Sequence, residues 1–167
     1  PAVSLPAVEP LLADKPCHLV ERRASSAFES RYGFRMTAPR HLYNFGELYN
    51  LSVGRGTLAE EERFKIREHI IQTIIMLDAL PFPHELRRVP EYAGAHHEAL
   101  DGSGYPRGLK KEDLSLPARI IAIADIFEAL TASDRPYKKA KTLFEAIDIL
   151  FALKTSGQID PDLFDLF

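Results

Sequence analysis

Eleven consecutive residues, from His96 to Pro106, carry the side chains best suited to chemistry in this chain. They read His-His-Glu-Ala-Leu-Asp-Gly-Ser-Gly-Tyr-Pro. Neighbouring imidazoles and carboxylates are nitrogen and oxygen ligands for divalent metals. Gly102 and Gly104 permit backbone angles closed to other residues, and Pro106 fixes its own φ and favours an extended Tyr105. The segment therefore predicts a metal site beside a rigid loop.

The two adjacent histidines are expected at the end of a helix. Consecutive helical residues point about 100° apart around the axis, at about 3.6 residues per turn. His96 and His97 cannot easily share one metal in the way of a pair four residues apart. They are therefore predicted to serve two neighbouring ions, or one ion and a substrate oxygen.

Asp125 and His69 extend the candidate site. Asp125 lies inside a nearly continuous apolar run, 117–130, where an isolated carboxylate is costly to bury without a partner. A cation is predicted to be that partner, and an ion pair with Arg119 is the alternative. His69 borders the apolar face of a long helical pattern and is predicted to point inward, although a histidine at a core boundary often has no chemical role.

Three further residues of the candidate site each keep two interpretations. Glu98 either orients a histidine or is a charge at a helix end. Asp101 either braces its own turn or contacts metal. Arg119 either binds phosphate or links two helices.

The elements that position these residues are predicted to be helices, so the fold class is all-α. The long pattern begins with a capping box at Thr57 to Glu60, and Ile66, Ile70, Thr73, Ile74 and Leu77 share its apolar face. Ser115 and Pro117 open another helix, and Thr142 to Glu145 opens the last. The predicted spans are 47–53, 58–80, 89–97, 117–132 and 142–156, with a final turn from Asp160.

The chain is predicted to divide near residue 45. Residues 1–45 contain five prolines before residue 40 and no sustained periodicity, so they are predicted to be a linker or the remnant of an inserted segment, with one short helix near 19–30. Residues 46–167 are predicted to be the helical domain.

Composition excludes several classes of protein. The net charge of −3 gives no general reason to expect nucleic-acid binding. The single cysteine, Cys17, excludes an internal disulfide framework and fits a reducing cytoplasm. No apolar stretch approaches the ~20 residues that cross a bilayer, so we expect a cytoplasmic location and no membrane segment in this chain.

From about Leu48 onward the sequence resembles the HD-GYP family, a branch of the HD phosphohydrolase superfamily. The resemblance rests on His69, the block from His96 to Pro106, Arg119, Asp125 and the Arg-Pro-Tyr-Lys segment at 135–138. It implies an HD-type bundle of about five main helices. It also implies a bacterial enzyme that hydrolyses cyclic di-GMP to pGpG or GMP.

The resemblance assigns roles to individual residues. His69, His96, His97 and Asp125 match metal-ligand positions for two or more divalent ions, with iron or manganese favoured and zinc or nickel also compatible. Arg135 and Lys138 match positions that hold substrate phosphate, although one extra residue separates Asp125 from Arg135. A solvated basic face is the alternative for both. The Gly-Tyr-Pro loop is a candidate surface for a protein partner.

The sequence departs from the family at one important place. The family's name-giving His-Asp pair, which supplies a carboxylate that bridges the metals, is expected before His69, and no His-Asp dipeptide occurs in this chain. We expect the chain to be the C-terminal piece of a longer protein whose upstream part holds that pair and a sensor. The alternatives are a non-catalytic module that binds a nucleotide or a protein, and a phosphohydrolase that acts on another nucleotide.

Overall fold

A computed structural model describes residues 12–22, 30–54, 56–133 and 140–167. The chain forms two compact units, one comprising Pro1–Ser25 and Thr37–His69, the other Ser26–Met36 and Ile70–Phe167. The described elements are, in order, β1 (Leu19–Glu21), β2 (His41–Asn44), α1 (Glu47–Leu51), α2 (Glu60–Asp78), α3 (Val89–Gly94), α4 (Leu116–Thr131), α5 (Leu143–Thr155) and α6 (Pro161–Leu166). The all-α prediction is confirmed as a mostly helical fold, with a small two-stranded sheet that was not predicted.

The first unit contains that sheet. β1 and β2 are antiparallel, with Leu19 opposite Asn44 and Val20 opposite Tyr43, and the register shifts between Val20 and Glu21. The short helix expected near 19–30 is therefore wrong at Leu19–Glu21, which is a strand, and residues 23–29 of that prediction lie outside the described residues. The predicted domain boundary at residue 45 stays a prediction.

The start of α2 differs from the predicted capping box. The helix begins at Glu60, so Ala59 precedes it, and the Ala59 N–H donates to Glu62 Oε2 at 2.9 Å. The carboxylate that reaches back is therefore Glu62, two residues later than expected from Thr57 and Glu60. The predicted helix began at residue 58, whereas α2 begins at Glu60, so residues 58 and 59 are not helical.

The buried face of α2 is only partly the predicted one. Ile70, Ile71 and Ile74 are buried, whereas Ile66 is 58 % exposed. The prediction for Ile66 is wrong, because the buried face turns toward Phe64 and Ile71 instead. Within the first unit, buried Glu68 is paired with Arg22, whose guanidinium also lies over the Phe64 ring.

The second unit contains three buried clusters. Ile70, Ile71 and Ile74 of α2 pack with Tyr32, Phe34, Met36 and Tyr105. A second cluster joins Ala95, Leu114 and Ala118, and a third joins Ile123, Leu150 and Ile159 across α4, α5 and the start of α6. Residues 30–36, predicted as part of a linker, thus contribute apolar side chains to this core.

The helix starts predicted for the C-terminal part are confirmed. Thr142 and Glu145 form a capping box, with the Thr142 N–H donating to Glu145 Oε2 at 2.8 Å. Asp160 caps α6 by accepting hydrogen bonds from the N–H groups of Asp162 and Leu163. None of the helices in the described ranges is both long enough and apolar enough to cross a bilayer.

Candidate metal centre

His96 and His97 lie in the turn that follows α3. The helix ends at Gly94, where an added Cβ would lie 2.7 Å from Ile74 Cγ1, so only glycine allows this close approach to α2. The expected extension of the helix to residue 97 is therefore wrong. The two histidines are not consecutive helical residues, and their ring centroids lie 4.1 Å apart.

His69 is the residue of α2 immediately before Ile70, and it is exposed. The prediction that it points inward is therefore wrong, because the buried face of α2 runs through Ile70, Ile71 and Ile74 instead. The ring nitrogens of His69, His96 and His97 include one set of three atoms that all lie within 4.8 Å of one another. Three converging imidazole nitrogens are a donor set that suits a divalent transition metal. The helical geometry behind the predicted division between ions is wrong, because both histidines lie in a turn that brings their rings together. The division of the two histidines between ions stays a prediction.

Backbone carbonyls orient two of these rings. His69 Nδ1 lies 2.6 Å from the Ile66 carbonyl oxygen, and His96 Nδ1 lies 2.7 Å from the Ala93 carbonyl oxygen. A carbonyl only accepts, so each Nδ1 carries the hydrogen and donates it. A histidine whose Nδ1–H donates to a backbone carbonyl is the common arrangement among metal-binding histidines, which bind the ion through Nε2.

Asp125 faces His97 and not Arg119. Its Oδ2 lies 3.7 Å from His97 Nδ1, and its side chain is 40 % exposed. Arg119 instead donates from a terminal guanidinium nitrogen to Asp160 Oδ2 at 2.8 Å. The alternative of an Arg119–Asp125 ion pair is therefore wrong, and of the two interpretations of Arg119 the contacts favour a link between helices.

The Gly-Tyr-Pro loop packs directly on His97. The Tyr105 ring stacks on the His97 ring at 4.8 Å with 26° between the planes. The Tyr105 N–H donates to the His97 carbonyl at 3.0 Å. Pro106 is fully buried, and the Tyr105–Pro106 peptide bond is cis. The loop therefore contributes a wall of the candidate site, as its composition predicted.

The two carboxylates of the motif have different surroundings. Asp101 is exposed and braces its own turn, accepting from the Ser103 N–H at 2.9 Å and from the Ser103 hydroxyl at 2.6 Å. These hydrogen bonds lower the pKa of Asp101 below its usual value. Glu98 is 6 % exposed and accepts hydrogen bonds from the backbone of the loop. It is therefore not a solvated charge at a helix end, and its role in orienting a histidine stays a prediction.

Some site residues fall outside the structure's description, and others were missed. Arg135 and Lys138 lie outside the described residues. Asp160, buried beside Arg119, was predicted only as the start of a turn. The ion pair of Asp160 with Arg119 joins residues 41 positions apart, which a local pattern does not predict. The sequence signal at Asp160 was the Asp-Pro pair typical of a helix start.

Comparison with known proteins gives consistent results. Residues 6–163 match the model of a family described as the HD domain. The chain is 43 % identical over 111 residues to 3′3′-cGAMP-specific phosphodiesterase 1 of Vibrio cholerae, covering 66 % of this chain and 25 % of that protein. It is 38 % identical over 113 residues to a cyclic di-GMP phosphodiesterase of Thermotoga maritima, covering 67 % and 30 %.

A third relative shares a shorter segment at higher identity. The cyclic di-GMP phosphodiesterase response regulator RpfG of Xanthomonas campestris is 54 % identical over 57 residues, 34 % of this chain and 15 % of that protein. The chain thus spans between about a seventh and a third of the length of these three relatives.

Proposed function

The chain belongs to the HD domain family, in its HD-GYP branch, and from this premise we propose that it is a metal-dependent phosphodiesterase acting on cyclic dinucleotides. The observation that carries the proposal is the convergence of three imidazoles, with Asp125 beside one of them. Cyclic di-GMP, hydrolysed to pGpG or GMP, is the proposed substrate, and 3′3′-cGAMP is its closest competitor, because relatives are named for each.

The ligands proposed for the ions are His69, His96, His97 and Asp125. Imidazole and carboxylate together suit iron or manganese and are also compatible with zinc or nickel. Divalent ions bound there would act as Lewis acids toward the phosphodiester and lower the pKa of the attacking water. The carbonyls of Ile66 and Ala93 hold two of the rings in place before any ion binds, which reduces the entropy lost on binding.

Substrate contacts are proposed for two basic residues that follow α4 in the sequence. Arg135 and Lys138 would donate hydrogen bonds to non-bridging phosphate oxygens, where a cation offsets the negative charge that develops in the transition state. Tyr105 forms one wall beside His97, and the loop around it is also the proposed surface for a protein partner. We propose that the protein works in the bacterial cytoplasm, where a nucleotide messenger would act.

The first experiment measures metal content and turnover together. The chain is purified without chelators, its metals are counted by elemental mass spectrometry, and it is then incubated with Mn²⁺ and cyclic di-GMP or 3′3′-cGAMP. We expect about one or more ions per chain. Because the chain has no His-Asp dipeptide, we propose that it is catalytically incomplete on its own, and that the linear product forms when a longer protein supplies that pair. His97→Ala should lose the metal and, in the longer protein, at least ~100-fold of the activity. His84→Ala, an exposed histidine outside the site, is the matched control and should keep both.

A second candidate function is a non-catalytic module that binds a cyclic dinucleotide. The absence of a His-Asp dipeptide favours it, because the family uses that carboxylate to bridge its metals. Binding of cyclic di-GMP by calorimetry, without any linear product after prolonged incubation of the longer protein with Mn²⁺, would support this function over hydrolysis. Turnover of other nucleotides, with both cyclic dinucleotides left intact, would instead indicate a phosphohydrolase of different specificity.

A further inference from the structure

Glu98 is a buried carboxylate that binds the far side of the Gly-Tyr-Pro loop. Its Oε1 accepts from the Arg107 N–H at 2.7 Å, and its Oε2 accepts from the Leu109 N–H at 2.9 Å. Both donors follow Pro106, so one side chain fixes the backbone on which the loop ends. Only 6 % of Glu98 is exposed, and hydrogen bonds to a buried charged group are among the stronger ones in proteins.

The near side of the same loop lies against the backbone of Glu98. An added Cβ on Gly104 would lie 2.3 Å from the Ala99 nitrogen and 2.4 Å from Glu98 Cα. The next residue, Tyr105, donates its N–H to the His97 carbonyl at 3.0 Å and stacks its ring on His97. Glu98 therefore restrains the loop backbone after Pro106. Tyr105, which precedes Pro106, covers the ring of His97, a proposed metal ligand.

We propose that Glu98 is a positioning residue for the metal centre, acting through the loop and Tyr105 on the orientation of the His97 ring. Both carboxylate oxygens are used, so the position requires two acceptors and not merely a polar group. The inference about metal affinity rests on the proposed function, because it takes His97 to be a ligand. The inference about the His97 ring does not require a metal.

The test is made first on the metal-free chain by nuclear magnetic resonance. Glu98→Gln keeps the shape and one acceptor, and Glu98→Ala removes both. Glu112→Gln, an exposed glutamate in the turn at Lys111–Asp113, is the matched control. We expect amide exchange at Arg107 and Leu109 to accelerate ~10-fold or more in Glu98→Ala. The ring-proton shifts of His97 should move, because the Tyr105 ring current changes.

The second measurement is a titration with Mn²⁺. We expect Glu98→Gln to weaken Mn²⁺ binding by ~10-fold, typical of residues that orient a ligand without touching the ion, whereas Glu112→Gln binds like the parent. Faster amide exchange with unchanged His97 ring shifts would overturn the proposal, since Glu98 would then brace the loop alone. If Glu98→Ala does not fold, the ring-proton shifts of His97 in Glu98→Gln test the proposal instead. A parent chain that takes up no Mn²⁺ contradicts the proposed function, while the metal-free shifts still decide the role of Glu98.

Discussion

His97 Nδ1 and Asp125 Oδ2 lie 3.7 Å apart, joining the turn after α3 to the middle of α4. The distance is longer than a hydrogen bond, and it places a carboxylate oxygen beside an imidazole nitrogen at the candidate site. A carboxylate next to a histidine serves a metal site in either of two ways, as a ligand or as the partner that orients the ring. In both cases the charge of Asp125 would stabilise a bound cation.

We predict that Asp125→Asn weakens binding of Mn²⁺ by about 10- to 100-fold while the fold persists. The amide removes the negative charge but keeps the size of the side chain, which is partly exposed and has few packing constraints. Calorimetric titration measures the affinity, and circular dichroism checks the fold. Asp148→Asn, an exposed aspartate of α5, is the matched control. Equal affinity in Asp125→Asn and the parent would show that Asp125 has no part in metal binding.

Gly104→Ala is predicted to destabilise the chain by about 3 kcal/mol, at the upper end for overpacking. Its Cβ would meet backbone atoms of Glu98 and Ala99 at 2.3–2.6 Å, and backbone cannot move aside as a flexible side chain can. Denaturant unfolding measures the change. Gly54→Ala is the control, because nothing lies within 4 Å of its added Cβ. A variant at position 104 as stable as the control would mean that the loop does not pack on Glu98 as described.

The sequence was informative where structure depends on neighbours in the chain. Thr142 and Glu145 are three residues apart, and their capping box was predicted and found. The spacing of Ile70 and Ile74 likewise predicted a buried face that exists. Helix starts and apolar faces arise from contacts within a turn or two, so a single sequence contains the necessary information.

Contacts between distant residues could not be predicted in this way. β1 forms only because Leu19 meets Asn44, and three residues with no strong alternation give no local signal of a strand. The partner of Arg119 is 41 residues away. The approach of the His96 and His97 rings depends on α3 ending at Gly94, which packs closely on Ile74, and helical periodicity does not specify where a helix ends.

Arg107→Met is predicted to loosen the segment 30–36 from the loop. Arg107 Nε donates to the Tyr32 carbonyl at 3.0 Å, and its guanidinium lies 5.9 Å from the Phe34 ring centroid. Methionine keeps most of the length but cannot donate, so local opening should increase by about 10-fold, as for the loss of one charge-assisted hydrogen bond. Limited proteolysis, followed by mass spectrometry of cleavage between residues 30 and 40, measures this opening.

Arg87→Met is the control for that experiment, because Arg87 is an exposed arginine outside the segment 30–36 and outside the Gly-Tyr-Pro loop. It should be cleaved at the parent's rate. If Arg107→Met is also cleaved at the parent's rate, the hydrogen bond to Tyr32 does not restrain the segment. The backbone hydrogen bond from the Arg35 N–H to the Pro106 carbonyl, 2.8 Å long, would then be the principal tie.

The buried pair of Arg119 and Asp160 is predicted to make the free energy of unfolding fall at acidic pH. Burial raises the pKa of Asp160, but the hydrogen bond from Arg119 and those from the Leu163 and Asp162 N–H groups outweigh it, so the pKa lies below the usual 3.8. A lowered pKa in the folded state means that the unfolded chain binds protons first as pH falls. The contribution of Asp160 is therefore complete above about pH 4 to 5 and is lost as pH drops through its folded pKa.

Asp160→Asn should remove this contribution while keeping a residue that can cap α6. At pH 7 we expect a loss of about 3 kcal/mol, at the lower end for breaking a buried pair, because the Arg119 side chain retains 22 % exposure. The loss should shrink at pH 3, so the variant's stability changes less between the two pH values than the parent's. Urea unfolding at pH 7 and pH 3 measures both, with Asp148→Asn as control. An equal pH dependence in Asp160→Asn and the parent would contradict the lowered pKa, because the remaining depressed carboxyls, including Asp101 and Glu145, are present in both proteins.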